Sequence, residues 1–282
     1  MPELPEVETI RLQLSSVLVG KAIKGIEVRK AKLWRGDQNK VIGKKIVKLR
    51  RYSKLLVIDL TDGLSLAIHL KLTGRLVYEE FKVKSEKLKV NWDINYPTDK
   101  HTHVVITFSD NSKLYFHDLR QFGYIQVVGS DAVESLPYVS SLGPEFFRNL
   151  DLATFAEIIK KGSRPIKLIL MDQQKLAGVG NIYANEGLWC AKIYPKRQAN
   201  ALSDEQIAGL FHCLAKIIKQ AIVWKGASDN DYRDAFGGKG EVQEHFNVYN
   251  REGRSCSRCQ TPIKKITLGG RGTYYCPNCQ KV

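Results

Sequence analysis

Two Cys-x2-Cys pairs, Cys256/Cys259 and Cys276/Cys279, lie sixteen residues apart and constrain the end of this 282-residue chain more than any other feature. Each pair sets two thiolates on one tight knuckle, and two knuckles complete the tetrahedral sulfur shell that Zn²⁺ accepts. So short a segment buries too little apolar surface to order itself, whereas metal binding worth roughly 10–16 kcal/mol can order it. Ile263, Ile266, Tyr274 and Tyr275 alternate around Gly269-Gly270, which predicts a β-hairpin between the pairs. A closed four-sulfur site leaves no position for water, so one structural zinc is expected. An iron–sulfur cluster or disulfides are the competing readings. Cys190 and Cys213 sit in helical apolar patterns and are expected to be buried core thiols.

Upstream the texture changes twice. Val7, Ile10, Leu14, Val17 and Leu18 recur at helical spacing, with Pro5 in the first turn. From residue 23 to residue 128 short apolar or alternating runs follow, at 23–28, 46–49, 55–60, 64–70, 104–108, 114–116 and 124–128. Turns such as Thr61-Asp62-Gly63 separate them, which predicts an antiparallel β-sandwich behind one N-terminal helix. Residues 82–100 are Lys-rich and read as a surface excursion. Helical patterns return at 152–159, 166–171, 182–189 and 203–224. The expected class is therefore a multidomain α+β protein. A β-sandwich domain spans 1–130, a linker 131–150, a helical domain with an aperiodic Gly- and Asp-rich loop at 226–240 spans 151–241, and a zinc ribbon spans 242–282.

Forty-four Lys+Arg against 29 Asp+Glu give a net charge of +15. The excess is shared, 24 to 17 in residues 1–150 and 20 to 12 beyond, so both domains are expected to meet a polyanion, most simply nucleic acid. Residues 40–54 carry seven basic side chains and no acid, and residues 251–282 carry seven and one. The opening MPELPEVET lacks the basic and apolar stretches of a signal peptide, and no apolar run matches a bilayer. A cytoplasmic chain, nucleoid-associated through DNA and away from membranes, is expected.

Met1-Pro2-Glu3 adds chemistry. Proline after methionine permits initiator removal, which would expose a secondary amine. An α-amine titrates near ~7.7–8.0, so part of it is unprotonated and nucleophilic at neutral pH. Glu3 and Glu6 would put carboxyls beside it for proton transfer. Alone, prolines and acids here serve to open a helix; the motif gains weight only in combination.

That combination exists. MPELPEVET is followed in order by Arg50-Arg51-Tyr52-Ser53-Lys54-Leu55-Leu56 and His69-Leu70-Lys71-Leu72-Thr73-Gly74. Next come Lys100-His101-Thr102-His103-Val104, Asp118-Leu119-Arg120-Gln121-Phe122-Gly123, Leu176-Ala177-Gly178-Val179-Gly180-Asn181-Ile182-Tyr183-Ala184-Asn185-Glu186 and the four-cysteine ribbon. Across essentially its whole length the chain resembles the formamidopyrimidine-DNA glycosylase (8-oxoguanine DNA glycosylase, Fpg) family. Glu3-Leu4-Pro5 favours this branch over endonuclease VIII, which usually opens Pro-Glu-Gly-Pro.

The resemblance implies a bifunctional DNA glycosylase and AP lyase. Pro2 would be the Schiff-base nucleophile, Glu3 the proton shuttle, and Lys54 and Arg271 catalytic residues contacting phosphate. Glu6, Leu72, His101, Arg120, Phe122 and Asn181 would serve DNA binding, with Asn181 opening the second helix of a helix–two-turn–helix. A reacting base must leave the stack, and its vacancy must be filled. The family fills it with Met, Arg and Phe; here Leu72 replaces the Met beside Arg120 and Phe122, and leucine can wedge a base step. Gly162 stands where the family often has a phosphate-binding Lys or Arg, so Lys161 or Arg164 is expected to take that contact. The wording of 226–240 also departs from the common form. The expected partner is damaged double-stranded DNA, bound by a monomer. Two alternatives are an endonuclease VIII-type glycosylase for oxidised pyrimidines and a non-catalytic damaged-DNA-binding protein.

Overall fold

The computed structural model of the chain describes residues 2–80, 94–228 and 231–281. It divides into two compact units, Met1–Ser140 with Trp224–Glu241, and Ser141–Val223 with Val242–Val282.

In the first unit, helix α1 (Leu4–Leu18) precedes strands β1 (Ile23–Val28), β2 (Trp34–Arg35), β3 (Ile46–Tyr52), β4 (Leu55–Leu60) and β5 (Leu64–His69). Strands β6 (Gly74–Glu79), β7 (Thr102–Phe108), β8 (Lys113–Asp118) and β9 (Tyr124–Gly129) and the one-turn helix α2 (Pro137–Ser140) follow. One sheet has the order β1-β7-β8-β6, and the other β2-β9-β5-β4-β3. All pairings are antiparallel except the short β2–β9 contact. Val7, Ile10, Leu14 and Leu18 of α1 share one core with alternate residues of both sheets, among them Leu56, Ile58, Leu66, Ile68, Ile106 and Phe116. The helix and the two inner faces thus remove each other from water, as a packed pair of layers requires.

The fold departs from three sequence expectations. Strand β6 was not among the expected runs. Both of its faces are buried, Leu76 in the main core and Val77 in a second cluster with Tyr96, Val105 and Tyr115, so no alternation marks it. The excursion at 82–100 lies largely outside the described residues, but Tyr96 within it is fully buried, and its hydroxyl accepts from Arg75 at 3.1 Å. The expected linker is in part a packed segment. Ser130 hydrogen-bonds Ser65 at 2.7 Å, Tyr52 donates to Glu134 at 3.0 Å, and Tyr138 meets His69 edge-on at 4.7 Å. These contacts hold residues 130–140 to the first unit.

The segment 224–241, assigned from sequence to the helical domain, also belongs to the first unit. Ala235 N donates to Gln13 at 2.8 Å, Ala235 O accepts from Tyr78 N at 2.7 Å, and Gln13 donates to Asp234 at 2.9 Å.

The second unit carries helices α3 (Leu152–Lys160), α4 (Ile166–Met171), α5 (Asn181–Cys190) and α6 (Asp204–Val223), then hairpin β10 (Lys264–Leu268) and β11 (Arg271–Tyr275). Asp151 caps α3 by accepting from Thr154 N at 2.8 Å. By length and composition α6 could cross a membrane, but Ile207, Leu210, Leu214, Ile218 and Ala221 form one buried stripe, while Lys216 and Lys219 lie off it. That is the pattern of a helix packed on one face.

Helices α5 and α6 approach so closely that a Cβ on Gly187 would lie 2.4 Å from Leu214 Cδ2. The same approach brings the Cα atoms of Cys190 and Cys213 to 5.9 Å, and the two are disulfide-bonded and only half-buried. They are not the free core thiols expected from sequence. Each falls on a helical apolar pattern, and only the packing of one helix on the other pairs them.

Candidate active site and nucleic-acid interface

At the head of α1, Glu3 is the N-cap and Glu6 the third helical residue. Their carboxylates exchange bonds with each other's backbone amides, with Glu3 N donating to Glu6 Oε2 at 2.8 Å. Pro2 is buried, and Glu3 and Glu6 are 2% and 1% exposed. Met1, whose removal the sequence reading invoked, lies outside the described residues. The second Glu6 oxygen accepts from Ala227 N at 2.8 Å. Gly226, at φ +80°, is forced to be glycine, because a Cβ there would sit 2.8 Å from Glu6 Cγ. Glu6, expected among the DNA contacts, is therefore a buried tie between the chain's head and the 224–241 segment.

Lys54 occupies the two-residue turn between β3 and β4 beside Ser53, which takes φ +55°. It is only 6% exposed, not an ordinary surface lysine. Arg51 donates to Ser53 O at 2.9 Å and to Glu8 at 2.7 Å, joining this turn to the early part of α1. The basic run 40–54 is partly neutralised, since Arg50 pairs with Asp59, Arg51 with Glu8 and Lys44 with Asp62. Burial, then the charges of Lys71 and Lys54, hold the nearby His69 down at about 3. It is thus neutral at physiological pH, and its Nδ1 accepts from Lys71 N at 3.0 Å.

Asp118 organises three loops, a role the sequence reading missed although its motif was in view. Its carboxylate accepts from Thr73 Oγ1, from Arg120 N at 3.3 Å and from Gly123 N at 2.7 Å. Its backbone N–H donates to His101 O at 2.9 Å, and its carbonyl meets His103 Nε2 at 3.0 Å. The loops carrying Leu72, His101, Arg120 and Phe122 are thereby brought together. Leu72 is half-buried, whereas Phe122 is 54% exposed with Arg120 5.1 Å over its ring. Phe122 is thus an exposed aromatic beside a guanidinium and not a core residue.

In the second unit, the turn from α4 to α5 is closed by Gln173, which accepts from Gly178 N at 3.0 Å and donates to Val179 O at 2.7 Å. Asn181 is the first residue of α5, with Gly180 as the N-cap. Its side chain donates to Gly272 O at 3.2 Å, so it reaches the ribbon hairpin. Gly162 is tightly enclosed: a Cβ would lie 3.1 Å from both Ala199 Cβ and Ile169 Cγ1. A larger residue there would need Ala199 and Ile169 to give way by a few tenths of an ångström. Of the residues expected to take the family's phosphate contact, Lys161 pairs with Glu157 and Arg164 with Asp172 at 2.5 Å, and both are exposed.

The four ribbon cysteines place all Sγ atoms within 4.8 Å of one another, with Cys259–Cys276, Cys259–Cys279 and Cys256–Cys279 at 3.4, 3.5 and 3.9 Å. A tetrahedron with Zn–S bonds of about 2.3 Å has edges of about 3.8 Å, so the thiols fit the ion. Hydrogen bonds from Thr261 and Asn278 pull Cys259 down to about 5. Burial and then the neighbouring thiols push Cys279 up to about 12. A dication relieves that mutual opposition.

Buried polar side chains of α5, which stand in the family motif but carry no assigned role in the sequence, hold the ribbon. Glu186 accepts from Asn247 N, Val248 N and Tyr249 N at 2.8–3.1 Å, and Asn185 accepts from Tyr274 N at 2.8 Å. Lys167 of α4, fully buried, donates to Gly272 O at 3.0 Å and Thr273 Oγ1 at 2.6 Å. Gly269 and Gly270, both at positive φ, turn the hairpin and leave Arg271 exposed at the start of β11.

The profile of the formamidopyrimidine-DNA glycosylase N-terminal domain matches residues 1–125, that of its H2TH domain residues 142–232, and the zinc finger found in FPG and IleRS residues 255–282. The chain belongs to the formamidopyrimidine-DNA glycosylase family. It is 41% identical to the formamidopyrimidine-DNA glycosylase of Pelotomaculum thermopropionicum and 38% identical to that of Listeria innocua, each comparison covering all of both chains. Among solved structures it is similar to a Lactococcus lactis Fpg mutant in complex with Fapy-dG-containing DNA, at a TM-score of 0.87 and 33% identity, over all of both chains. It is equally similar, at 0.87 and 32%, to the L. lactis enzyme with abasic-site DNA, covering 99% of this chain.

Proposed function

We propose that this chain excises oxidised purines from damaged duplex DNA through Pro2 and then cuts the strand. The family is one of DNA glycosylases for oxidised purines, with AP lyase activity general among its members. The observation that carries the reading is the head of α1, where a buried Pro2 precedes two buried carboxylates within one capping box.

With Met1 removed, the Pro2 nitrogen is a secondary amine at the positive end of a helix, which favours its neutral, nucleophilic form. The nitrogen lone pair attacks C1′ as the C1′–N9 bond breaks, and the base leaves with a proton. Loss of the ring C–O bond then gives an iminium, with Glu3 passing protons between the sugar oxygen and solvent. The iminium withdraws electrons so that a C2′ proton is lost and the C3′–O bond breaks. A second proton loss from C4′ expels the 5′ phosphate. Lys54 and Arg271 neutralise the phosphates, and Arg120, Phe122 and Leu72 fill the vacated stack. One zinc held by Cys256, Cys259, Cys276 and Cys279 has no open coordination position, so its role is to order the hairpin that presents Arg271. The enzyme acts as a monomer on chromosomal DNA in the cytoplasm, with His101, Asn181 and Lys161 or Arg164 contacting the backbone.

Borohydride trapping with a duplex containing 8-oxoguanine opposite cytosine tests this. A covalent adduct is expected with the wild type, and none with Pro2→Gly or with Met1 retained. Absence of the wild-type adduct overturns the mechanism. Trapping on thymine glycol with none on 8-oxoguanine would replace the purine by the pyrimidine reading.

A further inference from the structure

His101 stands just before β7 with its main chain fastened at both ends. Its N–H donates to Asp99 Oδ1 at 2.8 Å, and its carbonyl accepts from Asp118 N at 2.9 Å. On β8, His117 is only 4% exposed, and its Nε2 lies 3.1 Å from that same Asp99 oxygen, a close contact that is not aligned as a hydrogen bond. The His117 ring stands nearly perpendicular to His101, with centroids 5.8 Å apart. All three side chains line a cavity of about 120 Å³ shared with Thr73 and Arg75.

An acid two residues from a phosphate contact is unfavourable by charge alone, because it repels the backbone that His101 would meet. Its geometry supplies the reason for its presence: one carboxylate oxygen sits between a buried imidazole and the His101 amide. We propose that Asp99 and His117 are positioning residues for DNA binding by His101. His117 holds the Asp99 carboxylate, Asp99 holds the His101 backbone, and the His101 ring is held ready before DNA arrives, so its ordering cost is not taken from binding. This rests on the reading of His101 as a DNA contact.

The two roles of Asp99, repulsion and positioning, give substitutions of opposite sign. The full chain is titrated with a duplex containing a tetrahydrofuran abasic-site analogue across a salt series. His101→Ala should weaken binding roughly fivefold. Asp99→Ala should reproduce that loss, and the double variant should be no weaker than His101→Ala alone. Asp99→Asn keeps the acceptor and removes the charge, so it should bind as well as wild type or better. His117→Phe should weaken binding and His117→Gln should restore it. Titration of the active fraction with excess duplex separates misfolding from a weakened contact. If Asp99→Ala and Asp99→Asn both tighten binding while His101→Ala weakens it, positioning is overturned and the contact stands. If His101→Ala binds like wild type, the contact reading falls and the proposal with it.

Discussion

At the head of α1, Glu3 and Glu6 are held by backbone amides over a core that draws on α1 and both sheets. At the other end of the chain, Arg271 projects from a hairpin whose local core is Trp189, Val248, Ile263 and Tyr274 with two of the four clustered thiols. The first arrangement rests on burial of apolar area, which no single group dominates. The second concentrates its contacts in a few buried polar groups and four thiols that fit a metal ion. With the proposed zinc in place, one unit should tolerate chelation and the other should not.

Removing the metal should break the comparison most. Chelation or Cys256→Ser should unfold the ribbon, since structural zinc contributes roughly 10–16 kcal/mol to such elements. Metal analysis with hydrogen exchange should find residues 242–282 unprotected and the β-sandwich amides unchanged; protection retained after metal loss would contradict the ligand assignment. Glu186→Ala comes next. It strips the carboxylate from three backbone amides and should cost about 3–5 kcal/mol in denaturant melts, read in the second unit. Loss of the Cys190–Cys213 bond, by reductant or Cys190→Ser, should cost about 3 kcal/mol in the same unit; an unchanged midpoint would mean the bond contributes nothing in solution.

The smallest effect at neutral pH belongs to His69. Its folded value is depressed, so below about 6.5 the unfolded chain takes up a proton that the folded chain refuses. Stability from this group is complete above about 6.5 and is lost as pH falls towards about 3. His69→Gln should flatten that part of the stability profile in thermal melts, with little change at pH 7.

Much of this architecture could be read before any coordinates. The hairpin around Gly269-Gly270, the four thiols and the four helices follow from local spacing, and each lies where its pattern placed it. Strand β6 escaped because burial on both faces erases alternation, and Tyr96 escaped because its polar surroundings resemble a loop. The motif Asp118-Leu119-Arg120 drew attention to Arg120, yet Asp118 is the group that ties three loops together, and nothing in its neighbourhood announces partners at residues 73 and 123. The family resemblance places Glu6 among the DNA contacts, and the packing that buries it could not be seen locally, because its partner Ala227 lies 221 positions away.

The order of residues alone therefore determined the family, the four-thiol cluster, the layer types and the acids that follow Pro2, because these depend on spacings of a few residues. Tertiary structure decided which polar groups are consumed in holding the site and which remain to act. It buried Glu6 and Lys54, exposed Phe122, joined Cys190 to Cys213 and moved segment 224–241 to the first unit. The physical reason is that burial and pairing are set by what arrives from distant parts of the chain, and local periodicity carries no record of it.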